Sequence, residues 1–137
     1  LGVPVLIEAD GARMLPLKCP GDKEPVIPAE TTHVLSVYGL DAVGHPIGEI
    51  SFRPERAAQL LNKKITEPVA AEDIGRLAAS AEAGRKGCPA HAVYTVVLNK
   101  ADDPQRKEMA AYIGAFLEHQ GVTRVIVTSF RRPEERI

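Results

Sequence analysis

Asn99-Lys100-Ala101-Asp102 follows directly on an apolar, β-branched run: Val93, Thr95, Val96, Val97 and Leu98. The run reads as a buried strand covered on both faces, as in a parallel sheet. The tetrapeptide then sits on the loop leaving the carboxyl end of a strand, where open α/β sheets bind their ligands. A carboxylate at Asp102 can accept two hydrogen bonds from guanine, through the ring N–H and the exocyclic amine. Adenine offers neither donor in that place and would leave the acid unpaired. The Asn99 amide can donate toward guanine's acceptor edge or tie neighbouring loops together. The aliphatic stem of Lys100 can lie over a base plane. The same residues also suit a plain polar turn with an N-cap, or a site for another ligand, and local sequence leaves these alternatives open.

Three more candidates lie upstream. Val3–Ala9 is apolar and ends in Glu8-Ala9-Asp10-Gly11, which predicts a buried parallel strand with Glu8 and Asp10 on one face and a turn at Asp10-Gly11. An acid at that tip resembles the carboxylate with which P-loop NTPases hold the Mg²⁺ shell; an Asp-Gly turn that merely ends the strand is the alternative. Lys18, in the Pro- and Gly-rich loop Met14–Pro28, could reach a phosphate or simply be solvated. Asp41 lies in a Gly-bracketed loop, Gly39 to Gly44, after the strand Thr32–Tyr38. An ordinary strand-to-loop connection would look the same. Arg53 and Arg56 are candidate anion contacts or surface charge.

The remaining elements position these loops. Pro54 suits the first turn of a short helix whose apolar face is Ala57, Leu60 and Leu61. A second helix is expected from Thr66-Glu67-Pro68 to Gly84, with Ala70, Ile74, Leu77, Ala78 and Ala81 at helical spacing. Gln105–Gln120 is the clearest helix, with Met109, Ile113, Phe116 and Leu117 in one stripe and Gly121 as its C-cap. Val122–Thr128 is the last strand, ending at Ser129-Phe130, and Arg131–Arg136 reads as a charged, solvated tail. Strands alternating with helices predict a doubly wound, mainly parallel α/β sheet within a single domain over residues 1–137. Asp10, Asp41, Asn99, Asp102 and Ser129 would then face one crevice at the carboxyl edge.

Composition narrows the partners. A formal charge of −1 gives no case for nucleic acid or an anionic membrane surface. No apolar run approaches the roughly 20 residues that span a bilayer, and no signal peptide is visible. Cys19 and Cys88 lack metal-type spacing and read as free thiols of a reducing cytoplasm, a single disulfide being the alternative. The four histidines are scattered, with no pair at ligand spacing. The chain opens at Leu1-Gly2-Val3-Pro4, which predicts a piece of a longer protein.

Several stretches together carry a resemblance: LIEADGARMLPLKCP, EPVIP, VYGLDAVGHPI, FRPER and VVLNKADD. In this order they resemble the YqeC family, described as accessory proteins of selenium-dependent molybdenum hydroxylases. That family in turn resembles P-loop NTPases, whose three-layer, Rossmann-like fold the resemblance implies here. The Asn-Lys-x-Asp tetrapeptide is similar to the guanine-specificity motif of P-loop GTPases, in which a Ser-containing loop backs the base. The resemblance implies that Asp10 holds the Mg²⁺ shell, that Lys18 or Asp41 serves the phosphate or switch region, and that Asn99, Lys100, Asp102 and Ser129 serve the base. It also implies GTP, or ATP, with Mg²⁺ as ligand. A molybdenum hydroxylase or its cofactor-maturation proteins are the implied partners. Two features depart from the family. No G-x-x-x-x-G-K-[ST] occurs in these residues, so the phosphate cradle is expected upstream of Leu1. Lys23 stands where family members often carry His before Glu-Pro. Two functions follow as expectations: a nucleotide-binding, possible nucleoside-triphosphate-hydrolysing accessory protein, or a non-catalytic partner- or cofactor-binding module on the same fold.

Overall fold

The computed structural model describes residues 2–129. Its longest pairing joins β2 (His33–Gly39) and β4 (Val93–Asn99), parallel and in register from His33 opposite Val93 to Gly39 opposite Asn99. β5 (Val125–Val127) lies parallel on the other side of β4, giving the order β2-β4-β5. Three parallel strands deliver their carboxyl ends to one edge, so the loops that begin at Gly39, Asn99 and Thr128 are neighbours. A second, two-stranded parallel sheet pairs β1 (Leu17–Lys18) with β3 (Ser51–Phe52). The protein is thus a mixed α/β structure with small parallel sheets.

The helices form where sequence and packing agree. α4 (Pro104–His119) starts with Pro104 in its first turn, and Asp103 Oδ1 caps it by accepting from the Arg106 backbone N–H at 2.8 Å. It buries Ala110, Ile113 and Leu117, with Met109 packed partly against the same core. Its end is set by Gly121, whose φ of +83° suits glycine. α3 (Ala71–Ala79) packs on α4 through Ile74, Leu77 and Ala78. α2 (Pro54–Leu61) buries Ala57, Ala58 and Leu61, and the one-turn α1 (Ile47–Ile50) packs beside it.

Three expectations are corrected. Val3–Ala9 is not a strand: it has no ladder partner among the described residues, and Val3 and Leu6 are 82% and 92% exposed. An apolar, β-branched run is able to pair, but a strand exists only where a neighbour completes its hydrogen bonds. The Met14–Pro28 loop contains β1, too short for any period to mark it. The helix expected from Thr66 begins at Ala71, because Pro68 and Val69 bridge to the loop at Val43–Pro46, with Gly44 N–H donating to Val69 C=O at 2.8 Å. Asp73, buried, then accepts from the Ala70 N–H at 2.8 Å and starts the helix. The charged tail Arg131–Arg136 and Phe130 lie outside the described residues.

Gly39 joins β2 to a 3-10 turn, Leu40–Ala42, with φ of −89°, which any residue adopts. Its constraint is space. A Cβ there would lie 2.5 Å from Asp41 Oδ1 and 2.9 Å from Pro16 Cβ. Gly39→Ala should therefore destabilise the protein by about 1–3 kcal/mol through overpacking alone, measured by urea unfolding. Gly114→Ala, with nothing within 4 Å of its Cβ, should be neutral or slightly stabilising in the same helix-forming context.

Candidate functional site

A cavity of about 470 Å³ opens along the β2 edge and its carboxyl end. Asp10, Lys18, Asn99 and Lys100 all line it. Four residues chosen for their chemistry, from three separate stretches, therefore share one space. Its apolar wall is Ile7, Leu35, Val37 and Met14, exposed despite their character.

On one side stands the Asn99–Asp102 loop. Thr128 Oγ1 donates to Asn99 Oδ1 at 2.8 Å, and the Ala101 N–H donates to Thr128 C=O at 3.0 Å. The two loops at the carboxyl ends of β4 and β5 are thereby tied together. Asn99 Oδ1 is engaged, which leaves its amide as the donor. Lys100 has φ of +65°, a left-handed conformation that costs a side-chain-bearing residue about 1–2 kcal/mol. Its ammonium reaches Asp41 Oδ2 at 3.0 Å, and Arg106 Nη1 donates to its carbonyl at 3.4 Å. These contacts hold the strained residue in place, and strain of this kind collects at functional sites.

Asp41 is reached through Lys100 rather than lining the cavity, and its Oδ1 is buried without a hydrogen-bond partner. Asp102 and Ser129 also lie outside the lining residues. They pair with one another: Ser129 Oγ donates to Asp102 Oδ1 at 2.5 Å, and Arg106 Nη1 lies 3.8 Å from Asp102 Oδ2. The expected single crevice is thus resolved into a cavity group (Asp10, Lys18, Asn99, Lys100) and an adjoining acid group (Asp41, Asp102 with Ser129).

On the other side stands Asp10. Its side chain is 4% exposed, and both carboxylate oxygens are buried, with Glu24 as the group that can hydrogen-bond them when protonated. Arg53 Nη1 lies 3.7 Å from Oδ1. Arg53 also bridges to Glu24, donates from Nη1 to the Cys19 carbonyl at 2.8 Å, and stacks on the Phe52 ring at 4.2 Å from its centroid. The Asp10 carboxylate pushes the Glu24 pKa above its ordinary value, because a proton on Glu24 can be hydrogen-bonded by Asp10. Sequence reading left Arg53 as an anion contact or surface charge and passed over Glu24. Ion pairs between distant residues leave no periodic trace, although both residues fall within stretches that carry the family resemblance.

Behind Ser36, Tyr38 and Gly84 of the cavity lining lies a group of hydroxyls. Tyr94 OH donates to the Ala78 carbonyl at 2.7 Å and Ser36 Oγ to the Gly84 carbonyl at 3.1 Å. A Cβ on Gly84 would lie 2.6 Å from both the Tyr38 and Tyr94 hydroxyls, so glycine alone fits there. Burial raises both phenols, Tyr94 to about 12. Neither ionises at physiological pH, so the wall offers neutral hydroxyls and no charge.

Among the described residues, no group of three or more His, Cys, Asp or Glu is arranged to hold a metal ion by itself. None of the described helices is long and apolar enough to cross a membrane. Asp10 stands as a single buried carboxylate beside the cavity, with Arg53 and Glu24 next to it.

With this geometry in hand, comparison with known proteins gives a partial match. A model of the YqeC family, described as YqeC protein, matches residues 1–55. These residues hold Asp10, Lys18, Glu24, Asp41 and Arg53. The chain is also 48% identical over 44 residues to Uncharacterized protein YqeC of Escherichia coli (strain K12), a match covering 32% of this chain and 16% of that protein. No solved structure matches.

Cys19 forms the floor behind this site, fully buried, while Cys88 is half-buried, and both are free thiols. Burial pushes the Cys19 thiol up to about 11 from 9.0. A thiol whose folded pKa is raised favours the folded state below its unfolded pKa, and that contribution is lost as pH rises through the folded value. Stability should therefore fall between about pH 9 and 11. The fall should be shallower in Cys19→Ala, measured by chemical unfolding across that range. A thiol reagent at pH 8 should label Cys88 well before Cys19.

Proposed function

We propose that this chain is part of a GTP-preferring, purine-nucleotide-binding accessory protein on a P-loop NTPase-like fold, within a single α/β domain. Its role would be the maturation of a selenium-dependent molybdenum hydroxylase in the cytoplasm. The observation that carries the nucleotide reading is the shared cavity at the carboxyl edge of a parallel sheet. Asn99 and the left-handed Lys100 lie on one side, with Asp10 and Lys18 on the other. The molybdenum and selenium link comes from the family resemblance alone; the match over residues 1–55 supports likeness to YqeC.

In this reading Asn99 donates to the base, the Lys100 stem covers its face, and Asp102 accepts from guanine's N–H groups. Ser129 already holds the Asp102 carboxylate in place from behind. Lys18 draws the phosphates by charge. Asp10 would take up the water shell of Mg²⁺, which supplies charge neutralisation when bound. Asp41 fixes Lys100. Any hydrolysis would be a matter of positioning water and balancing charge, without a covalent enzyme intermediate.

One observation favours a second reading, a partner- or cofactor-binding module without turnover. Ile7, Met14, Leu35 and Val37 expose an apolar wall, which phosphates do not use.

Calorimetric titration with GTP, ATP and CTP, each with Mg²⁺, separates the two readings. The nucleotide reading expects GTP to bind at least about tenfold tighter than ATP, about 1.4 kcal/mol, with Asp102→Ala erasing the preference. Equal affinities, or a preference that survives Asp102→Ala, would contradict it. Absence of nucleotide binding would favour the second reading.

A further inference from the structure

Arg106 stands where helix chemistry alone would not place it. It falls in the first turn of α4, which holds no acidic residue. The helix dipole favours a negative side chain there, and Glu or Gln is the usual occupant of the position three after the cap. Its backbone serves the helix, the Arg106 N–H donating to the capping Asp103 Oδ1 at 2.8 Å. Its guanidinium reaches back over the Asn99–Asp102 loop instead. Nη1 donates to the Lys100 carbonyl at 3.4 Å and lies 3.8 Å from Asp102 Oδ2, while Nε lies 3.8 Å from Asp103 Oδ2.

Two fixed points bound this loop. Asn99 is tied to Thr128 at 2.8 Å, and Asp103 starts α4. Between them Lys100 holds φ of +65°, which a residue with a side chain keeps only where its surroundings over-determine it. Asp41 takes the Lys100 ammonium at 3.0 Å, and Arg106 holds its carbonyl. Ser129 Oγ donates to Asp102 Oδ1, and Arg106 attracts the Oδ2 side. A planar guanidinium suits this work, because its donors diverge at fixed angles and can hold a carbonyl and a carboxylate together. We infer that Arg106 is a positioning residue for base recognition, fixing Asp102 relative to Asn99 through the Lys100 carbonyl and the Asp102 carboxylate. The inference rests on the guanine reading of this loop and adds what sets its selectivity. Guanine meets Asn99 and Asp102 on different edges, so their spacing must be right before it binds. Adenine has no donor for Asp102. Arg106 therefore acts on the preference between bases and not on the hold of the nucleotide as a whole.

Calorimetric titration with GTP and ATP, each with Mg²⁺, tests this on the wild-type protein, Arg106→Ala, Arg106→Lys and Asp102→Ala. Arg106→Ala should bind GTP roughly fivefold more weakly, the scale of ordering one side chain, and ATP within about twofold of wild type. Arg106→Lys keeps the charge but loses the fork, so its preference for GTP should fall at least about twofold short of wild type. A residue that only braced the start of α4 would weaken both nucleotides alike, so a parallel loss in Arg106→Ala overturns the inference. A preference that Asp102→Ala erases and Arg106→Ala leaves intact also overturns it, and leaves the guanine reading standing. If Arg106→Ala does not fold, Arg106→Lys decides: a reduced preference supports the inference and a wild-type preference overturns it. Equal affinities for GTP and ATP in the wild-type protein, or no binding of either, overturn the guanine reading and this inference with it.

Discussion

The parallel ladder between β2 and β4 is the constraint on which the site depends. Because Gly39 pairs with Asn99, the residues that follow each strand emerge side by side. Two residues beyond Gly39 comes Asp41, and one beyond Asn99 comes Lys100, which explains why the two meet at 3.0 Å. A slip of one residue would turn every alternate side chain to the opposite face and separate this pair. The register is held by burial on one side: Val96 and Leu98 of β4 and Tyr38 of β2 are in the core, with Thr95 buried opposite. The outer β2 side chains, Leu35 and Val37, remain 57% and 51% exposed and form the cavity wall. The ladder therefore makes both the core and the cavity.

Charge is organised around the cavity in two unlike ways. At the Asn99–Asp102 loop each acid has a charged or polar partner, Asp41 Oδ2 in Lys100 and Asp102 in Ser129 and Arg106, while Asp41 Oδ1 is buried without one. Those contacts pre-orient the loop and reduce what must be ordered when a ligand arrives. At the opposite wall Asp10 is buried with unused hydrogen-bonding capacity, an arrangement that costs stability unless something completes it. Arg53 offsets that cost by Coulomb attraction, and a proton on Glu24 can complete the carboxylate by a hydrogen bond.

Parts of this were legible in the sequence, for local reasons. The break from Leu98 to Asn99-Lys100 marks the loop, and Asp103-Pro104 and Gly121 bracket α4, because cap chemistry is written in adjacent residues. Asp10 was marked by its place at the end of an apolar run, although that run is unpaired, since pairing depends on a neighbour and not on composition. The Arg53 bridge to Glu24 and Asp10 was not legible, being set by how the β1–β3 pair brings Cys19 up to Phe52. The division of Asp102 and Ser129 from the cavity was equally out of reach, because it follows from side-chain direction rather than from strand order.

The central claim is that the cavity at the carboxyl edge of the β2-β4-β5 sheet is where the protein takes its ligand. Backbone amide resonances recorded during titration with Mg²⁺ and GTP test it most directly. The account predicts that the largest shifts fall on Asp10, Lys18, Gly39, Asn99 and Lys100, which line that cavity, with Asp102 beside them. Shifts confined to the surface depression at Arg56, Gln59, Leu60 and Glu82, or spread evenly with no cluster at the sheet edge, would contradict it.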